Sequence, residues 1–391
     1  MLAVWAPLLL PFLAVPLARR LAEALPPRAA AWLLAGTAAV LAGGTVCSLG
    51  LLAAAGLLQL PPVAALGHLS LPWLTAAAPS APLAAAAAGL VLAALAALAV
   101  RTAGLRHREL RAARAALPAL PAPGPTADGP RYGTPDSDVP RPDTPRPDLP
   151  FSDTETAGDR HPDTRPRSAS VRRARTPHRL RQALERLRPP AEHPLTVLDD
   201  DRADAFALPG RPRRPGRTGE PGRIVVTSGM LRALSGPERA ALLAHERAHL
   251  TGRHHVFLAL AEHAADLHPA LRPLRTPLGY HLERWADEVA AARVGDRAVT
   301  ARAVGRAALA ASRSPWPARP RLVAAAHSGP VPRRVAALLQ PRPSTAPATR
   351  LRAVALALAA CLALTTGATL EATADLHHTV EAAQHEPGTE R

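Results

Sequence analysis

The stretch Ala240–Leu250 reads Ala-Ala-Leu-Leu-Ala-His-Glu-Arg-Ala-His-Leu, and it decides how the second half of this chain folds. It contains one His-Glu-x-x-His sequence, formed by His245, Glu246 and His249. Residues four apart lie on one face of an α-helix, so both imidazoles can bind the same metal ion. Glu246 then lies beside them, where it can accept a proton from a water activated by that ion.

The flanking residues predict the helix itself. Ser235-Gly-Pro-Glu238 matches a capping box with proline near the first turn, and Ala and Leu fill the positions that follow. Gly252, shortly after the second histidine, predicts the end of this helix. Taken alone, the motif leaves two interpretations open, which are a zinc site and a pair of ordinary surface histidines.

A second helix is predicted over His281–Val294, with Glu283 and Asp287 one turn apart on a shared face. A catalytic zinc ion takes three protein ligands and one water, and Glu283 can supply the third protein ligand. Asp287 can accept the N–H of a ligating imidazole and so fix its tautomer. The same spacing also fits surface pairing with the neighbouring arginines.

The composition limits the function classes. The formal net charge of +16 comes entirely from arginine, because the chain contains no lysine. Aromatic residues make up only 3%, and no nucleic-acid-binding signature is present, so no nucleic-acid partner is expected. Cys47 and Cys361 both lie in apolar stretches, which predicts free thiols rather than a disulfide or a thiolate metal cluster.

Four apolar stretches predict transmembrane helices, at about residues 2–18, 29–57, 81–100 and 354–370. The flanking arginines set the orientation, since positively charged loops stay in the cytoplasm. Arginines follow the first and third stretches and precede the fourth, whereas none lies between the second and third. We therefore expect a multi-pass cell-membrane protein with both termini outside and the large region before the last span in the cytoplasm.

The chain divides into four predicted parts. Residues 1–114 hold three spans, and residues 115–176 form a linker rich in Pro, Arg and Asp that is expected to be disordered. Residues 177–345 form the folded domain, with short strands at Leu195–Leu198, Ala205–Leu208 and Arg223–Thr227. Residues 346–391 hold the last span and a short outer tail. At His178–Leu187 a basic amphipathic helix is expected, lying either on the membrane surface or on the domain.

The two helices together resemble a known group. His245-Glu246-x-x-His249 followed by Glu283-Arg-Trp-Ala-Asp287 resembles the integral-membrane gluzincins of the beta-lactam sensor–transducer and antirepressor type. It is more distantly similar to the CAAX prenyl endopeptidases and the heat-shock membrane protease. Asp204-Ala-Phe-Ala-Leu-Pro-Gly210 and Val225-Val-Thr-Ser-Gly-Met-Leu231 resemble the strands before the zinc helix in that group. Two features depart from it: no extracellular ligand-binding domain follows the fourth span, and the proline-rich linker is an insertion.

The resemblance implies a mainly α membrane protein with four transmembrane helices and a cytoplasmic α+β zincin (gluzincin) domain with a small sheet. It implies one zinc ion held by His245, His249 and Glu283, with Glu246 as general base. His327, Arg333 and Arg334 are candidates for stabilising the oxyanion, and Arg334 is favoured among them.

The expected function is therefore membrane-bound, zinc-dependent hydrolysis of a cytoplasmic or membrane protein or peptide, with regulatory proteolysis as its context. The strand Arg223–Thr227 is expected to pair with an extended substrate. His254 and His255 are expected only to face carbonyl groups at a helix end. The alternative function is a zinc-binding membrane signalling or scaffold protein without catalysis.

Overall fold

A computed structural model describes residues 2–77, 81–115, 117, 193–211, 215, 219–313, 330–340 and 348–385. Residues 1–118 and 190–391 form one compact unit, so the apolar helices and the predicted zinc helices belong together. The predicted linker and the basic helix expected at residues 178–187 lie outside the described residues.

The N-terminal region is helical. A short 3-10 helix, Leu2–Trp5, is followed by five α-helices: α1 (Ala6–Glu23), α2 (Pro27–Leu57), α3 (Pro61–Leu66), α4 (Leu71–Ala77) and α5 (Ala81–Ala115). The last helix of the chain, α12 (Ala348–His385), packs against α1 and α2. Gly44 on α2 allows this close approach, because a Cβ there would lie 2.5 Å from Cγ2 of Thr365 on α12.

Among the described residues, three helices are long and apolar enough to cross a membrane: Pro27–Leu57, Pro82–Ala115 and Leu351–His385. They correspond to three of the four predicted spans. The predicted first span is not confirmed. Its helix α1 carries Arg19, Arg20 and Glu23 in its last turns, which leaves an apolar part shorter than the roughly 20 residues that a spanning helix needs.

The predicted strands β1 (Leu195–Leu198), β2 (Ala205–Leu208) and β3 (Arg223–Thr227) form a three-stranded sheet in the order β1-β3-β2. β1 runs parallel to β3 and β2 runs antiparallel to it. The prediction that β3 is the edge available to a substrate is wrong, because β3 is hydrogen-bonded on both sides. Its continuous burial fits this central position, since Ile224 to Thr227 are all buried.

In the described part of the chain, seven further helices lie between the sheet and α12. They are α6 (Ser228–Ala233), α7 (Gly236–Thr251), α8 (His254–Leu267), a 3-10 helix (Pro269–Leu274), α9 (Arg275–Val294), α10 (Arg297–Arg313) and α11 (Val331–Leu339). Both helices predicted around the histidine motif and the glutamate are thus present as α7 and α9.

The sheet lies between α5 and α7. Phe206, Leu208 and Val225 face the end of α5, where Leu110 and Ala113 pack on them. On the opposite face, Ala207 and Ile224 pack against α7. Arg114 at the end of α5 also donates a hydrogen bond to the Pro209 carbonyl at 2.8 Å. The helix that carries the second membrane-length apolar segment therefore extends onto the folded domain.

One apolar core joins α1, α2 and α12 to α8 and α9. Its buried residues include Leu34 on α2, Phe257 on α8, and Leu278 and Leu282 on α9. Burying large apolar side chains stabilises such a core by about 1.5–3 kcal/mol for each residue. The helix that carries Glu283 therefore packs against α2, one of the three helices long and apolar enough to cross a membrane.

Candidate functional site

The helix α7 begins as the sequence predicts. The Ser235 N–H donates to Oε2 of Glu238 at 2.9 Å, and both halves of the capping box are formed. Glu238 also accepts a hydrogen bond from Arg306 of α10 at 3.0 Å, which ties the start of α7 to a neighbouring helix. The cap sets where α7 starts and hence which residues face inward.

His245, Glu246 and His249 are all buried on α7. The Nε2 atoms of the two histidines are 3.1 Å apart, so both rings direct the same nitrogen to one point. This geometry excludes the alternative of two surface histidines.

Glu283 on α9 meets these two imidazoles. Its Oε2 is 3.5 Å from Nε2 of His245, and its Oε1 is 3.5 Å from Nε2 of His249. Two ligand atoms on a tetrahedral zinc ion, each bonded at about 2.0–2.2 Å, are separated by about 3.4 Å. The three donor groups form the one cluster in the described part of the chain that could hold a metal ion, and its donor types and spacings fit zinc.

Asp287 supports the set from the next turn of α9. Its Oδ1 lies 3.1 Å from Nδ1 of His245, the nitrogen that faces away from the other donors. A carboxylate there favours the tautomer in which Nδ1 carries the hydrogen and Nε2 is left to bind a metal. The predicted supporting position of Asp287 is thus the one that the structure gives it.

Arg334 on α11 is fully buried against both carboxylates of α9. It donates two hydrogen bonds to Asp287, from Nε at 2.8 Å and from Nη2 at 2.6 Å, and its Nη1 lies 2.9 Å from Oε2 of Glu283. A guanidinium engaged in this bidentate way orients carboxylates. These contacts favour a positioning role, and the predicted role as oxyanion donor stays a prediction.

The other two oxyanion candidates are not brought to the site. Arg333 is exposed on α11, where its guanidinium lies 4.9 Å from the centre of the Tyr280 ring. His327 lies outside the described residues.

The buried charges are strongly coupled. Burial alone would lower the pKa of His245, but the hydrogen-bonding carboxylates of Asp287 and Glu283 raise it to about 9. Burial lowers the pKa of His249 well below its ordinary value. Burial would raise the pKa of Glu283, yet the charge of Arg334 keeps it below its ordinary value. The carboxylates of Asp287 and Glu283 therefore favour a positive charge at His245.

His254 is a residue that sequence reasoning missed. It was expected to face the end of α7, but it is fully buried, and its Nδ1 lies 2.7 Å from Nδ1 of His249. Little in the sequence indicates this contact, because His254 lies five residues after His249 and that spacing does not follow the helical period. The left-handed backbone of Arg253, with φ of 51°, turns the chain between α7 and α8 and brings His254 back to the site.

Two buried histidines and one glutamate on packed helices match a known ligand set of catalytic zinc ions in peptidases. In agreement with this, the model of Peptidase family M48 matches residues 170–271, about a quarter of the chain. The match indicates a metallopeptidase, and the members of that family are in general zinc-dependent. It includes the sheet and α7 but ends before Glu283. Neither the curated proteins nor the solved structures contain a match to the chain.

Proposed function

We propose that this protein is a membrane-bound zinc endopeptidase that hydrolyses a protein or peptide substrate. The observation that carries the proposal is the buried set of His245, His249 and Glu283, whose donor atoms have the mutual spacing of ligands on one tetrahedral ion. Zinc, when bound there, supplies Lewis acidity for the carbonyl group and lowers the pKa of a water ligand.

The residues of the chain then have separate roles. Glu246, adjacent to His245 and buried, accepts the proton of the attacking water and passes it to the departing amine as the C–N bond breaks. Asp287 holds His245 in the ligating tautomer. Arg334 holds Asp287 and Glu283 in place, and its charge keeps both carboxylates ionised.

The substrate is proposed to bind in extended form along a sheet edge. Peptides commonly add to an edge strand through main-chain hydrogen bonds. With β3 in the centre, β1 and β2 are the outer strands of the described sheet, but all four residues of β2 are buried, whereas Leu195 and Val197 of β1 are exposed. β1 therefore replaces β3 as the proposed pairing strand.

The proposal extends to the location of the site. The three apolar helices support a membrane protein. The arginines at the ends of these helices favour a cytoplasmic peptidase domain with both termini outside, and regulatory proteolysis of the sensor–transducer or antirepressor type is the finer proposal. A reporter enzyme that is active only outside the cell, fused to the C-terminus, is expected to be active.

The test compares cells that express wild-type protein, Glu246→Gln and the control Glu371→Gln, whose glutamate is exposed on α12. Quantitative proteomics of membrane and soluble fractions should find cleavage products with wild type and with Glu371→Gln, and lose them with Glu246→Gln. The purified Glu246→Gln protein should still bind one equivalent of zinc, because Glu246 is not a ligand. Cleavage that persists in Glu246→Gln would overturn the enzymatic proposal. Stoichiometric zinc with no Glu246-dependent cleavage would favour the non-catalytic signalling or scaffold alternative.

A further inference from the structure

His254 and His249 form a close buried pair at the junction of α7 and α8. Their Nδ1 atoms are 2.7 Å apart and their ring centres 4.7 Å apart, with the rings nearly perpendicular at 83°. Only a hydrogen bond brings two ring nitrogens this close, so one of the two must carry the hydrogen and the other must accept it.

We propose that His254 is a positioning residue of the metal centre, which accepts a hydrogen bond from Nδ1–H of His249 and so directs Nε2 of His249 to the metal. The inference rests on the proposed function, because it takes His249 as a metal ligand. A neutral imidazole carries one N–H, so His249 can bind through Nε2 only when its hydrogen is on Nδ1. His254 must then accept at Nδ1. The reverse arrangement would place the hydrogen of His249 on Nε2 and block ligation.

The proposal gives each ligating histidine its own acceptor. Asp287 faces Nδ1 of His245 at 3.1 Å, and His254 faces Nδ1 of His249 at 2.7 Å. Such outer partners fix the orientation of a ligand ring and raise its basicity. A neutral acceptor at the second histidine avoids adding a third buried carboxylate beside Glu283 and Asp287.

The fold holds His254 in this orientation from two sides. Gly252 leaves the space that its ring occupies, since a Cβ at that position would lie 2.6 Å from Nε2 of His254. The indole of Trp285, on α9, packs on the other side with ring centres 4.6 Å apart.

Trp285 in turn connects the pair of histidines to α2. The guanidinium of Arg28, at the start of α2, lies 5.4 Å from the centre of the Trp285 ring. Trp32, one turn further along α2, contacts Phe257 with ring centres 4.8 Å apart, and Phe257 also contacts Trp285. The position of His254 therefore depends on contacts that extend to α2.

The experiment uses a pair of substitutions of nearly equal size in the full-length protein in detergent. His254→Asn places an amide oxygen near the position of Nδ1 and keeps an acceptor, whereas His254→Leu removes it. His255→Leu is the control for losing an adjacent histidine. Zinc affinity is measured by competition with a chromogenic chelator, and thermal unfolding of the metal-free proteins checks the fold.

We expect His254→Leu to weaken zinc binding by about 10–100-fold, the usual effect of losing an outer hydrogen-bond partner. His254→Asn should restore most of the affinity, and His255→Leu should bind zinc as wild type does. Equal zinc affinity in His254→Leu and wild type would overturn the inference, as would Asn and Leu variants that fold alike and bind equally weakly. If the wild-type protein binds no zinc, or binds it independently of His245, the proposed function itself fails.

Discussion

Replacing Arg334 by methionine tests the electrostatic design of the site. Methionine keeps an unbranched side chain of similar reach but removes the charge that faces Glu283 and Asp287. The guanidinium and both carboxylates are buried, with 0%, 3% and 0% of their residues exposed, so water cannot screen the loss. Breaking a buried ion pair by removing one partner costs about 3–5 kcal/mol. We expect a destabilisation of this size in the metal-free protein.

The assay is thermal unfolding of the purified protein in detergent, with and without zinc. For the unit formed by residues 1–118 and 190–391, about 3–5 kcal/mol corresponds to a fall in Tm of roughly 4–8 °C. Zinc should recover part of the loss, because a divalent cation compensates the charge of Glu283. Arg333→Met is the matched control, since Arg333 is exposed and only stacks on Tyr280, a contact worth about 0.5–1 kcal/mol at an exposed site. Equal effects of the two substitutions would refute the proposed role of Arg334.

Two further predictions follow from the protonation and packing of the chain. Because the pKa of His245 is about 9 without metal, zinc binding at pH 7 should release about one proton, and the affinity for zinc should rise with pH up to about 9. Calorimetry in buffers of different ionisation enthalpy measures the number of protons released. Zinc binding without proton release would contradict the prediction. Gly44→Ala should destabilise the protein by about 1–3 kcal/mol through overpacking against Thr365. Gly43→Ala is its control, with no atom within 4 Å of the added Cβ, and equal melting temperatures would refute the packing.

The site shows where prediction from sequence reaches its limit. The sequence places His245 and His249 on one face of a helix because one helical turn separates them, and this spacing is local. Glu283 could be proposed from its residue type and from the resemblance, yet nothing in the sequence places α9 on α7. The structure places Arg334, and not Arg333, beside the carboxylates of the site. The contacts with Glu283 and Asp287 nevertheless favour a positioning role over the predicted oxyanion role.

What the sequence alone determined is the set of local elements. The three strands have the predicted bounds, and α7 begins at the predicted capping box, because turn residues, caps and apolar patterns act over a few neighbouring residues. Only the tertiary structure decided two features. It placed β3 in the centre of the sheet, and it brought His254 into contact with His249. Both depend on contacts between separate elements and on the backbone turn at Arg253, and no local spacing in the chain encodes them.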